Sequence, residues 1–169
     1  MPKRTACKQC LAQIPDGRTN RTRQCKLMSC KWSPYCWHHT SLTVGPSSLG
    51  PGIGDGVFAK KDIPTGTKVA DYTVGNIPLN NAQLEALYPG NTRATHAWRK
   101  NRNLTYDAAK TNSVAGKFNN CRPRDQDNGR CGGNNARINQ HGNVRTRRMI
   151  QQGEEIFVSG YGSTYWRGR

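Results

Sequence analysis

Two stretches of the chain carry the same pattern of apolar and polar positions. Residues 57–66 and 144–153 place a valine (Val57, Val144), a small residue (Ala59, Thr146), a basic pair (Lys60-Lys61, Arg147-Arg148), an isoleucine (Ile63, Ile150) and a glycine (Gly66, Gly153) at equal offsets. Each predicts a short strand, a basic turn that stays in water, one apolar anchor and a glycine that reverses the chain. A further strand follows each arm, Lys68 to Thr73 after the first and Glu155 to Ser159 after the second. Between the arms, Asn80–Tyr88 predicts a helix. Asn80 or Asn81 can cap it, Leu84, Leu87 and Tyr88 form one apolar stripe, and Pro89-Gly90 ends it. Residues 121–135, rich in Pro, Asp, Asn and Gly, predict a loop. The Gly/Pro-rich run from Gly45 to Gly52 predicts a joint between a front end, residues 1–42, and a body, residues 43–169.

Composition sharpens this picture toward short strands and many turns. Hydrophobic residues make up only 34%, while there are 18 glycines and 9 prolines. No run approaches the roughly 18 apolar residues of a membrane span, so no membrane partner is expected. Met-Pro-Lys-Arg at the start has no apolar segment behind it and does not read as a secretory signal. The seven cysteines are then expected to be metal ligands or free thiols in a reducing, intracellular compartment rather than disulfides. Net charge is +16, which steers a protein toward polyanions or acidic surfaces. Residues 1–42 hold eight basic residues against Asp16 alone, a net +7, so the front end is the expected nucleic-acid contact. The plainer reading of the charge is solubility.

A set of short motifs then carries a family resemblance. They run Gly54-Asp55-Gly56-Val57-Phe58-Ala59 with Asp62 to Gly66, Asp71-Tyr72-Thr73-Val74-Gly75, Asp107-Ala108, and Ala115-Gly116-Lys117-Phe118-Asn119-Asn120-Cys121. Asn134-Asn135-Ala136, Gly153-Glu154-Glu155-Ile156, and Tyr161-Gly162 with Tyr165-Trp166 complete the order. In that order they resemble the SET-domain family of protein-lysine methyltransferases over roughly residues 46–166. The departures are Asn120 where the family usually has His, an extra Gly160 before Tyr161, and the absence of a cysteine after Trp166.

The resemblance implies a mostly β SET-domain fold of short strands and small sheets, with S-adenosylmethionine as cofactor and a protein lysine as substrate. It assigns Tyr161 to orienting the amine and Tyr72 to the lysine channel. Gly54, Asp55, Gly56, Val57, Asn119, Asn120, Tyr161 and Trp166 fall to the cofactor. The chemistry suits these residue types. Methyl transfer is an in-line displacement governed by positioning. The attacking amine must be neutral although free lysine has a pKa near ~10.4, and glycines let backbone approach a ligand closely. Glu154 and Glu155 are adjacent and would face opposite sides of a strand, so they make no acid–base dyad. His96 and His141 have no evident Ser or Cys partner.

The front end adds Cys10, Cys25, Cys36 and His39. Their spacing resembles a small zinc module ending in Tyr-Cys-Trp-x-His, here Tyr35-Cys36-Trp37-His38-His39. Cys7, Cys30 and His38 are also available, and Cys7 can replace Cys10. A histone or another basic chromatin protein is the substrate class that the resemblance implies, with a nuclear or chromatin-associated location. The rival reading is a zinc-dependent nucleic-acid-binding protein whose SET-like body no longer catalyses.

Overall fold

The computed structural model describes residues 8–9, 13–15, 22–26, 28–29, 41–89, 96–111 and 113–161. Cys7, Cys10, Cys30, Cys36, His38, His39, Gly162, Tyr165 and Trp166 lie outside the described residues. In the front end, β1 (Lys8–Gln9) pairs antiparallel with β4 (Met28–Ser29), and β2 (Gln13–Pro15) with β3 (Thr22–Gln24). Cys25 is buried, and its carbonyl accepts from the Gln9 side chain at 3.1 Å.

The body starts with a hairpin of β5 (Leu42–Pro46) and β6 (Asp55–Ala59), paired from Leu42↔Ala59 to Pro46↔Asp55. Gly45 and Pro46 therefore end a strand, and residues 47–54 turn back to its partner. The Gly/Pro-rich run is the tip of a hairpin, and Leu42 is already part of the buried core.

The repeated pattern has a direct structural meaning. After β6 and after β12 (Asn143–Thr146) the two arms clasp each other with reciprocal backbone hydrogen bonds. Ile63 N–H donates to Ile150 O at 2.8 Å and Ile150 N–H to Ile63 O at 3.0 Å. Gly66 N–H donates to Thr146 O, and Gly153 N–H to Ala59 O. Equivalent residues thus exchange equivalent bonds, a local two-fold relation. Val57, Ile63, Val144 and Ile150 are all buried at its centre, while Lys60, Lys61, Arg147 and Arg148 stay exposed. Burial of each such aliphatic side chain contributes about 1.5–3 kcal/mol.

Around this clasp lie a four-stranded sheet, in the order β13 (Val158–Ser159), β11 (Ala136–Ile138), β12, β7 (Lys68–Asp71), and a three-stranded one, β8 (Ile77–Leu79), β10 (Leu104–Asp107), β9 (Ala97–Asn101). All pairs are antiparallel except β11 with β13, which are parallel. The short strands and few helices make this the mostly β architecture expected.

Helix α1 (Asn81–Leu87) is capped by Asn80, whose side chain accepts from Gln83 N–H while the Gln83 side chain accepts from Asn80 N–H. The apolar stripe assigned to it covers little: no residue of α1 is buried and Leu87 is 48% exposed. Its capping box and the bond from Asn81 Nδ2 to Arg102 O at 3.0 Å support it instead.

Residues 121–135 are not the open loop expected. Pro123–Asp127 forms α2, with proline in the first turn where a missing N–H costs nothing. Cys121 and Cys131 are joined by a disulfide with Cα atoms 6.0 Å apart. These two cysteines are thus neither metal ligands nor free thiols, which corrects the expectation for this pair. With Leu49 and Phe157 they form a small second core. A 3-10 turn, Val114–Lys117, leads into Phe118–Cys121. No helix among the described residues is long and apolar enough to cross a membrane.

Candidate active site

The site is assembled where the β5–β6 hairpin, the strap Phe118–Cys121 and the segment running from β13 to Tyr161 meet. Its hidden fastener is Glu155, 4% exposed. Glu155 accepts from Ser47 Oγ at 2.9 Å, from Ser48 N–H and Oγ at 2.7 and 2.6 Å, and from Asn119 Nδ2 at 3.1 Å. Asn119 Nδ2 also donates to Asp55 O at 2.9 Å, and Asn119 O accepts from Val158 N–H at 2.8 Å. One carboxylate therefore ties the hairpin turn to the strap. A buried carboxylate so fully hydrogen-bonded keeps its partners in place at high cost to any mismatch.

Gly56 serves this fastener. A Cβ at Gly56 would collide with Glu155 Oε1 and lie 2.7 Å from its Cδ and 3.3 Å from Ser47 Cα. Its role is clearance for Glu155, a different reason from the ligand approach that the sequence suggested. Gly54 does leave room, with φ +89 and no atom within 4 Å of where a side chain would start. Val57 is fully buried in the core, so it supports the loop from beneath. Asp55 is exposed and pairs with Lys117 at 2.9 Å, an ion pair open to water that contributes little.

Tyr161 is buried, and its hydroxyl donates to Phe118 O at 2.8 Å. Its ring meets Tyr72 edge-on with centroids 6.0 Å apart, and Tyr72 meets Trp98 at 6.2 Å. Trp98 in turn stacks on Tyr106 at 6.0 Å. Tyr72, 1% exposed, donates its own hydroxyl to His96 O at 3.0 Å. The extra Gly160 has a definite task. With φ +96 it brings the chain so close to β11 that a Cβ would sit 2.6 Å from Ile138 O.

Asn120, Gly160, Tyr161 and Trp98 line one cavity of about 520 Å³, together with the exposed Arg99, Lys100 and Arg137. That size falls in the range of organic-ligand sites. Both amide hydrogens of Asn119 are taken by Asp55 and Glu155, and Asn120 Nδ2 donates to Val158 O at 3.1 Å. Asn119 therefore offers a ligand its backbone and side-chain oxygen rather than amide hydrogens.

The family's cofactor is S-adenosylmethionine. Of the residues assigned to it, Asn120 and Tyr161 line the cavity, whereas Gly54, Asp55, Gly56, Val57 and Asn119 lie outside its lining, with open space beside the Gly54 backbone that leaves room for a ligand.

The structure thus brings together Gly54, Asp55, Gly56, Val57, Asn119, Asn120, Tyr72 and Tyr161. Trp166 and the metal candidates Cys10, Cys36 and His39 lie outside the described residues. Among the described residues no three His, Cys, Asp or Glu gather as a metal site. Sequence reasoning missed Glu155, Ser47, Ser48 and Trp98. Alternation along Glu154-Glu155-Ile156 gave Glu155 an opposite face from Glu154, but no local signal says that its face is the interior. Glu154 faces outward, as that alternation requires. Burial pushes its carboxyl up, but hydrogen bonds from Arg148, Asn135 and Gln151 N–H outweigh this and hold it below the ordinary range.

Comparison with known proteins agrees with this geometry. The sequence matches the SET domain over residues 54–162. Among solved structures, the chain is similar to one named "Plasmodium falciparum putative histone methyltransferase", with TM-score 0.50 and 17% identity over 76% of this chain and 99% of that one. At that identity the likeness speaks for the fold alone. No curated protein matches the sequence. With the matched segment covering well over half of the chain, including β6, the strap and Tyr161, the chain belongs to the SET-domain family, whose members are typically S-adenosylmethionine-dependent protein-lysine methyltransferases.

Proposed function

We propose that this protein transfers a methyl group from S-adenosylmethionine to a lysine side chain of a protein substrate. The observation that carries the reading is Tyr161: a buried phenol in the wall of the cavity, its proton committed to Phe118 O. With that proton given away, the phenol oxygen presents lone pairs to the cavity. It accepts from an amine N–H and so points the nitrogen lone pair away from itself. Tyr72, pinned by His96 O, holds the Tyr161 ring edge-on and limits its rotation. The aromatic wall and the basic lining disfavour the ammonium form of an entering lysine, which supports the neutral nucleophile.

Gly54, Asp55, Asn119, Asn120 and Tyr161 would hold the cofactor, which supplies an electrophilic methyl group on a sulfonium, with Gly56 and Val57 supporting their loop. Trp166 is proposed to cover it.

Finer parts of the reading rest on sequence alone. A histone or other basic chromatin protein is the substrate that the family resemblance implies, whereas the charge of the cavity speaks for a different one. Zinc held by Cys10, Cys25, Cys36 and His39, a nucleic-acid contact through residues 1–42 and a nuclear location are proposed on the same footing.

Calorimetric titration with S-adenosylmethionine tests the core of the proposal, with saturable one-to-one binding expected. Absence of binding by a folded protein that still binds duplex DNA would turn the reading toward a nucleic-acid-binding protein with an inactive body.

A further inference from the structure

Resting on the reading of the Tyr161 cavity as the lysine site, we propose that its substrate is a lysine flanked by acidic residues, not one embedded in a basic tail.

The cavity lining carries Arg99, Lys100 and Arg137, all exposed, and no acid. The chain has ten Asp and Glu residues; none of the described ones lines the cavity, and five of them are engaged elsewhere. Asp55 pairs with Lys117, Asp71 with Lys68 and Glu154 with Arg148. Glu155 is buried under Ser47 and Ser48, and Asp107 accepts from Tyr88 at 2.7 Å. Among the described residues no carboxylate pairs with Arg99, Lys100 or Arg137.

The placement of Arg137 is fixed by the sheet. Ala136 and Ile138 are buried on one face of β11, so Arg137 projects from the other. There it stands directly opposite Arg145 on β12. Like charges in that position destabilise a ladder. Arg145 directs its guanidinium to Gly66 O at 2.7 Å, on the side of the clasp, while Arg137 lines the cavity. Lys100 comes from β9, the edge strand of the other sheet, on the same face as Trp98, while its neighbour Arg99 turns its guanidinium to Asn81 Oδ1 of α1 at 3.4 Å. Cations therefore reach the cavity from two sheets.

A basic tail would meet like charge at this lining and in the field of a chain of net charge +16. Carboxylates on either side of the target lysine would meet complementary charge while the lysine itself enters beside Tyr161. Charge complementarity of this kind sets partner choice and is weakened by salt.

The test uses the full-length protein and two fluorescent peptides with the same central lysine, one flanked by Asp and Glu, the other by Lys and Arg. At low salt the acidic peptide is expected to bind about tenfold or more tightly, by anisotropy, with the gap narrowing as salt rises. Lys100→Gln with Arg137→Gln should remove most of the gap, and Lys100→Glu with Arg137→Glu should invert it. Arg130→Gln, a neutralisation away from the cavity, should leave it unchanged. Equal or tighter binding of the basic peptide overturns the inference, as does a loss with Arg130→Gln as large as with the cavity pair. Methyl incorporation into both peptides separates this claim from the one beneath it. Faster transfer to the basic peptide keeps the enzyme and discards the acidic preference. Binding of the acidic peptide that depends on Lys100 and Arg137, with no transfer to either peptide, keeps the preference and discards the enzyme.

Discussion

Glu155 and Tyr161 show how much of this site hangs on single atoms. Gly56→Ala would force a methyl group into Glu155, whose carboxylate cannot swing away because two serines and Asn119 hold it. A loss of about 1–3 kcal/mol is expected from such overpacking, read as a lower denaturant midpoint, together with weaker cofactor binding. Gly54→Ala acts through backbone strain at φ +89 and should leave the Glu155 contacts intact. Equal losses in the two variants would show that Glu155 is not the fastener. Residue by residue, the sequence was legible only in part. Gly54, Gly56, Asn119 and Tyr161 stood out as motif positions, but why Gly56 must be glycine depends on a carboxylate from a segment 99 residues later in the chain. No local pattern encodes that contact.

Among the elements, the clasp of the two arms was the most legible, because each arm repeats a pattern whose buried and exposed positions are set by strand alternation and turn chemistry. Helix α2 and the Cys121–Cys131 bridge were not. Five residues are too few for a helical period to show, and cysteine pairing depends on how the chain returns on itself. The turn of the second arm carries a pH dependence. Glu154 has its carboxyl lowered in the folded state against the pull of burial, and Asp71 likewise, through Lys68 and Thr73. A lowered carboxyl contributes stability above its unfolded value, about 4.3 for Glu, and loses it as pH falls through the folded value. Melting temperature should therefore fall as pH drops from about 5 toward 3. Glu154→Gln should melt lower at neutral pH and show a shallower acid decline. Parallel curves for the two proteins would remove Glu154 from the acid response.

For the molecule as a whole, the order of motifs along the chain was enough to identify the family, since several weak signals in sequence constrain far more than any one. The same reading assigned the front end to zinc, with ligands drawn from Cys10, Cys25, Cys36 and His39. About one zinc per chain is expected by elemental analysis, and Cys36→Ser should abolish it while S-adenosylmethionine binding persists. Metal content unchanged by that substitution would break the ligand set. If the front end also grips duplex DNA, replacing Arg18, Arg21, Arg23 and Lys26 with Gln should lower the slope of log K against log salt by about 0.9 for each phosphate no longer neutralised. At the centre of the molecule's proposed chemistry stands methyl transfer oriented by Tyr161. It is tested by transfer of a labelled methyl group from S-adenosylmethionine to peptide lysine, by the native protein and by Tyr161→Phe, with cofactor affinity measured on both. Lysine labelling by the native protein and unchanged cofactor affinity in the variant are expected. The variant's transfer rate should be lower by a factor of about 30–1,000, an orienting contribution of about 2–4 kcal/mol. Native-like turnover by Tyr161→Phe, or no lysine labelling by a native protein that binds the cofactor, would refute that role.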